Sequence, residues 1–313
     1  MKPYFVAVVL AAAVLAATGF RQSPEKTAQT TRLTTSELEG RWDLTLQANG
    51  ETYPSWIEIS NAGTPSVRIV DRTGSVHPAS DVKIDGSHVT FSERNGKATW
   101  DLSVSGGKLS GTENLPNGKA EVTGVRAPAL DRKAPQSWSA PEPLFNGKNL
   151  DGWIPDKPDK NHWKVENGEL VNEAPGANIR TERKFDDFKL HIEFNCPVDG
   201  NSGIYLRGRY EVQVEYETRK EDPFHQIGSI YGFLAPSKQL PARPGQWESF
   251  DVTLVGRTVT IVRDGVTTIN AQKIPGITGG ALDSHEGEPG PIYLQGDHTG
   301  GMKYRNITIA TAQ

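Results

Sequence analysis

The sequence predicts an all-β protein: a small antiparallel β-barrel or sandwich followed by a two-sheet jelly roll. Three observations carry that prediction. Short runs rich in Val, Ile, Thr, Tyr and Trp recur between clusters of Gly, Asn, Asp and Pro, which is the punctuation of strands and turns. Asp85-Gly86, Asn95-Gly96, Asn117-Gly118 and Asp264-Gly265 fall between such runs, as tight hairpin turns require. Beyond the N-terminus, no long stretch places apolar residues at helical spacing.

Taken in order, residues 1–20 combine Lys2, a short apolar core from Tyr4 to Ala17 and small residues after it. That pattern predicts a cleaved signal peptide, hence a periplasmic or secreted protein with no stable membrane span after cleavage. Residues 21–37 are polar and unpatterned, a spacer. A first β domain is expected over 38–130, where Arg41–Leu46, Ser55–Ile59, Val67–Val70, His88–Phe91, Ala98–Val104 and Lys119–Gly124 alternate apolar and polar residues. It groups no His, Cys, Asp or Glu at catalytic or metal spacing, so it is expected to be an accessory. Pro135, Pro141 and Pro143 make 131–143 an extended, semi-rigid linker. The remainder, 144–313, holds about ten strand candidates, enough for a jelly roll.

The chain has 313 residues, sufficient for two hydrophobic cores, and a net charge of −4. Without a basic stripe there is no electrostatic footprint for nucleic acid, and a neutral, polar partner fits better. The single cysteine, Cys196, rules out an intrachain disulfide and suits a small buried apolar role. No metal-ligand spacing occurs and no cofactor is predicted; the acidic run Asp283–Glu288 leaves a divalent cation open. Oligomeric state is not legible.

The most informative stretch is Asn201–Glu215, two β segments joined by a turn at Gly208. Period two puts Ile204, Leu206, Tyr210, Val212 and Val214 on an apolar face. It puts Tyr205, Arg207, Glu211, Gln213 and Glu215 on the other, a set of planar hydrogen-bonding groups suited to a sugar. The alternative is an ordinary solvated sheet face, with Arg207 paired across strands to a glutamate.

Nine motifs of the second domain agree in order with a known family. They are Leu144–Trp153, Trp163–Leu170, Phe185–Leu190, Asn201–Arg207, Tyr210–Gln213, Ser229–Gly232, Pro244–Trp247, Gly290–Gln295 and Tyr304–Ile307. In these residues 140–310 resemble the 3-keto-disaccharide hydrolase family, long described as a domain of unknown function. The resemblance implies a concanavalin A-like jelly roll that cleaves glycosides whose C3 hydroxyl has been oxidised to a ketone. Its substrate would be a small glycoside or oligosaccharide. Two departures bear on specificity: Glu248, where the family usually has a small polar residue, and the highly charged loop 215–226.

A 3-ketone acidifies the C2 proton, so a base near C2, a donor for the enolate and an acid for the leaving oxygen suffice. The two opposed carboxylates of ordinary glycosidases are not required. With this resemblance, Glu211 is the expected base, Arg207 the expected enolate donor or orienter of Glu211, and His298 an acid or base at the rim. Asn201, Tyr205, Gln213, Tyr231, Trp247 and Gln295 are the expected substrate-binding residues. Asn201 and Ser202 have the alternative of an Asx-type turn, and Trp247 that of a core residue. A non-catalytic carbohydrate-binding jelly roll and a surface adhesion protein remain the competing readings.

Overall fold

The alternation read from the sequence is the alternation of burial. Strand Ala98–Ser105 buries Ala98, Trp100, Leu102 and Val104 and exposes the residues between them. The computed structural model describes Met1, residues 37–216 and residues 222–313. Residues 2–20 of the leader, the spacer up to residue 36 and residues 217–221 of the charged loop 215–226 lie outside the described residues.

Among the described residues, nine strands form the first lobe: β1 (Gly40–Ala48), β2 (Glu51–Ser60), β3 (Ser66–Val70), β4 (His77–Pro78), β5 (Ser80–Asp85), β6 (His88–Glu93), β7 (Ala98–Ser105), β8 (Lys108–Leu115) and β9 (Gly118–Arg126). They make one antiparallel sheet in the order β4-β3-β2-β1-β9-β8-β7-β6-β5. The sheet curls until β3 approaches β5, so residues from strands far apart in that order share one core. Leu44, Ile57, Ile69, Phe91, Leu102 and Val122 are among them. The turn at Asn95-Gly96 has both residues at positive φ, +58° and +79°, as its dipeptide predicts.

The second lobe is a sandwich of two sheets. Its strands are β10 (Glu142–Pro143), β11 (Trp153–Pro155), β12 (Trp163–Glu166), β13 (Glu169–Asn172), β14 (Ile179–Thr181), β15 (Phe188–Asn195), β16 (Asn201–Leu206), β17 (Tyr210–Glu215), β18 (Trp247–Val255), β19 (Thr258–Arg263), β20 (Val266–Lys273), β21 (Tyr293–Leu294) and β22 (Met302–Thr311). One sheet runs β12-β13-β22-β15-β18-β19-β20, with β10 added along β22; the other runs β11-β14-β21-β16-β17. Phe188, Ile192, Phe194, Phe250 and Ile309 from the first pack with Ile204, Leu206, Val212 and Leu294 from the second. This is the expected concanavalin A-like jelly roll. The segment expected as a linker is docked on this lobe: Trp138 bridges Ala312, and Glu142 pairs with Ile309.

The two lobes share one compact unit, Ser36–Gln313. Trp56 of β2 enters the second lobe's core and meets Phe233 edge-on at 5.4 Å. Arg257, fully buried, donates to the Pro128 carbonyl (2.8 Å) and to the Pro275 carbonyl (2.6 Å). Arg41 donates to the same Pro275 carbonyl at 2.9 Å. Two buried carboxyls, Asp43 and Glu286, also meet between the lobes; burial and the charge of Glu286 push Asp43 upward, which favours a proton held between them.

Candidate active site

The hairpin β16–β17 forms as its sequence predicts, and both of its faces are covered. Ile204, Leu206, Tyr210, Val212 and Val214 enter the sandwich core. On the other face Tyr205 lies opposite Glu211, and Gly203 opposite Gln213. This face lines a cavity of about 670 Å³. Seven of the nine expected site residues meet there: Asn201, Tyr205, Glu211, Gln213, Tyr231, Gln295 and His298.

Arg207 is not among them. It occupies the turn at φ +53°, beside Gly208 at +68°, so the strand's alternation no longer directs its side chain. Its guanidinium is fully buried and donates to the Gly256 carbonyl (2.6 Å), the Tyr210 hydroxyl (3.2 Å) and Asp186 Oδ1 (3.2 Å). Tyr210 belongs to the face opposite Glu211, so the expected pairing of Arg207 with Glu211 or the enolate is corrected to a structural role. Trp247 is also displaced. Phe250, three residues on, points into the core, so Trp247 points outward, where the Arg305 guanidinium covers its ring at 3.9 Å. The Asx-turn alternative is overturned as well: Asn201 and Ser202 are strand residues, and the Ser202 hydroxyl bonds the Gln295 carbonyl and the Tyr304 hydroxyl, each at 2.7 Å. Glu248, the departure from the family pattern, is buried and paired with Arg263 at 2.5 Å, also bonding Tyr216.

Glu211 is 3% exposed although it lines the cavity. Burial raises its pKa to about 8 from an ordinary 4.5, against the opposing pull of the Tyr205 hydrogen bond and the His298 charge. A carboxylate so raised is a stronger base than an exposed one. The Tyr205 hydroxyl also donates to the Gly279 carbonyl at 3.0 Å. It therefore has one proton and two acceptors, Gly279 and ionised Glu211.

His298 sits at the rim, its side chain half exposed, with Nδ1 at 2.7 Å from Asp297 Oδ1. Burial pushes Asp297 up, but hydrogen bonding and charge from His298 and the Asn178 amide outweigh it, and Asp297 stays below the ordinary range. Asn178 ties this corner together, donating to the Tyr293 hydroxyl (2.6 Å) and accepting from the Gly296 N–H (2.7 Å). Asn178, Tyr293 and Asp297 are lining residues the sequence reading missed; Asp297 had a signal in its adjacency to His298, and Tyr293 in its place within the motif Gly290–Gln295. Among the described residues, the side-chain oxygens of Gln213 and Gln295 are buried and accept no hydrogen bond. Each is an acceptor suited to a ligand hydroxyl. The rings of Tyr231 and His225 lie 4.8 Å apart, tilted by 31°.

For a metal, the described residues hold one carboxylate trio, Asp71, Glu93 and Glu113, with one oxygen each within 4.8 Å of the others. Arg94 pairs with Asp71 and stands 3.9 Å from Glu93, so a cation of the chain already serves this cluster. The acidic run 283–288 is largely spoken for: Asp283 accepts from Arg209 at 2.6 Å and Glu286 is buried. The Cys196 thiol is buried and pushed up to about 12 by that burial, the inert state expected of it.

Together these features define a jelly-roll protein whose cavity brings the raised Glu211 carboxyl together with His298, Asp297 and the buried amide oxygens of Gln213 and Gln295. A family model, described as the 3-keto-alpha-glucoside-1,2-lyase-like domain, matches residues 140–310, more than half of the chain. The chain belongs to that family, a carbohydrate-active one. No curated protein matches it. Among solved structures, a candidate glycosyl hydrolase from Parabacteroides distasonis at 2.13 Å resolution is 29% identical, covering 57% of this chain and 92% of its own, with a TM-score of 0.47. A second from the same organism is 21% identical over 55% of this chain and 94% of its own, with a TM-score of 0.46. A third is 23% identical over 55% and 98%, with a TM-score of 0.42.

Proposed function

We propose that this protein is an exported enzyme that cleaves 3-keto-glycosides by C2 proton abstraction and β-elimination. The observation that carries the reading is Glu211: a buried carboxyl, raised to about 8, facing the same cavity as the acceptor oxygens of Gln213 and Gln295. Glu211 takes the proton from C2, and the C–H electron pair becomes the enolate of the 3-ketone. Tyr205 is the donor nearest the base and takes over the stabilising role first expected of Arg207. The C1–O bond then breaks, and the leaving oxygen takes a proton from His298, which Asp297 orients through the 2.7 Å contact at Nδ1. The products are an alcohol and a 1,2-unsaturated 3-keto sugar. Addition of water across that double bond completes a net hydrolysis. The elimination as written calls on no metal. Export rests on the leader 1–20, and the substrate is a small glycoside or disaccharide.

The test compares a chromogenic 3-keto-glucoside with its unoxidised parent, using the full chain and Glu211→Gln. The reading expects turnover of the keto form alone, falling by about 10²- to 10⁴-fold in the variant. Undiminished turnover by Glu211→Gln would move the base elsewhere. Sugar binding without turnover of either compound would favour a non-catalytic carbohydrate-binding protein.

A further inference from the structure

The loop between β3 and β4 of the first lobe reaches the cavity of the second. Thr73 and Gly74 line it together with Tyr205, Glu211 and Gln213. The fit is built on both sides. The Gly280 N–H donates to the Arg72 carbonyl at 3.0 Å. A Cβ on Gly279 would stand 2.1 Å from the Gly74 carbonyl oxygen, and one on Gly232 would stand 2.6 Å from Ser75 Cβ. Gly279 has no left-handed φ, so its missing side chain answers a need for space alone. Behind the loop, Arg94 pairs with Asp71, and His77 joins the Ser75 carbonyl (3.1 Å) to Glu93 (3.1 Å). The loop is thus held from its own lobe and seated against the other.

Its contact with the chemistry is two residues long. Gly74 packs on Gly279; the Gly279 carbonyl accepts from the Tyr205 hydroxyl; and Tyr205 hydrogen-bonds Glu211. We infer that the first lobe is a working part of the active site. Thr73 and Gly74 form an uncharged wall against the neutral, hydroxyl-bearing ring, with the Thr73 hydroxyl as a contact to it. Gly74 also seats Gly279, whose carbonyl shares the single Tyr205 proton with Glu211. Thr73 is a specificity-determining residue in this scheme and Gly279 a positioning residue. The first lobe, expected from sequence to be an accessory, then selects the substrate. This inference rests on the function proposed above.

The test uses the full chain, the same 3-keto-glucoside, and Thr73→Trp and Gly279→Ala. Thr73 is exposed, so Thr73→Trp fills the cavity without disturbing a core. It is expected to raise KM by about tenfold or more while kcat and Tm change little. Gly279→Ala pushes the first-lobe loop away. It is expected to lower kcat and to move the pH dependence of kcat/KM to lower pH, because the Tyr205 proton, no longer held by the Gly279 carbonyl, is free for ionised Glu211, and that hydrogen bond lowers its pKa. A purely structural contact would leave that pH dependence in place. An active wild type with unchanged KM in Thr73→Trp overturns the inference and leaves the proposed function standing; should Gly279→Ala not fold, Thr73→Trp decides alone. A wild type inactive on the keto sugar overturns both.

Discussion

Glu211 folds back over Gly203 of the paired strand: a Cβ on Gly203 would stand 2.0 Å from Glu211 Oε1 and 2.8 Å from its carboxyl carbon. A glycine inside a strand marks a close approach, and here the group approaching is the proposed base. Gly203→Ala therefore has to displace that carboxylate. The expected result is a loss of about a hundredfold in kcat from a misplacement of the order of 1 Å, with the β-rich circular dichroism spectrum retained. Wild-type kcat in Gly203→Ala would mean that the carboxylate's seat is irrelevant to turnover.

The rate should rise with pH. A base must be ionised to act, and Glu211 ionises near 8. The ascending limb of kcat/KM is expected to pass through about pH 8. Tyr205→Phe removes a hydrogen bond that favours the ionised form, so its rising limb should lie at higher pH. A limb that does not move in Tyr205→Phe would remove Tyr205 from the base's surroundings.

Stability should run the opposite way. Burial raises Glu211 to about 8 and Glu113 to about 7, both from 4.5, and raises Asp43 as well. Between 4.5 and these values the unfolded chain has lost protons that the folded chain keeps. The stability these raised carboxyls contribute is fully present below about pH 4.5 and is lost as pH rises through 7 and 8. Glu211→Gln removes one such penalty. Its Tm should exceed wild type at pH 8, by a free energy on the order of a few kcal/mol, and match it at pH 4. Thermal melts of both proteins across that range decide the matter; a Tm gain of equal size at pH 4 would argue against a titration effect.

Arg207 and Trp247 separate structure from catalysis. Arg207→Ala leaves the Gly256 carbonyl without its charged donor, at a cost of about 1–3 kcal/mol in stability. The pH limb and KM of the protein that remains folded should not change, since the guanidinium lies across the sheet from Glu211. Trp247→Ala should leave KM unchanged, because the indole stacks under Arg305 rather than facing the cavity. Chemical denaturation and steady-state kinetics on both variants distinguish these outcomes; a KM effect in Trp247→Ala would return the indole to the substrate's path.

Most of the fold was legible because it is written in local rules. Alternation announced the strands, and Asn95-Gly96 and Asp264-Gly265 announced hairpins that adopt the expected positive φ. Glu211, Gln213 and Tyr205 were legible as one face for the same reason. Arg207 was misread because the period-two rule was carried one residue past the end of its strand, into a turn where it has no force. Trp247 was misread because its motif names the residue without saying which side of β18 faces outward. Thr73, Gly74 and Asn178 were illegible from sequence. They reach the cavity through packing of the first lobe and of the segment just before β14, and no short-range pattern encodes a contact between segments more than a hundred residues apart.

The position of β22 has a consequence for the order of assembly. This strand lies between β13 and β15, pairing Leu170 with Tyr304 on one side and Phe194 with Tyr304 on the other. Strands made early in the second lobe therefore stay apart until one made more than a hundred residues later slides between them. Every strand of the first lobe, by contrast, precedes residue 127 and pairs within that span. The first lobe can zip along its own contiguous sequence, whereas the second must close long loops before its larger sheet exists, which is the slower route. As it folds, the chain would then pass through a stage with its first barrel formed and its cavity still open, finished only when β22 is threaded home.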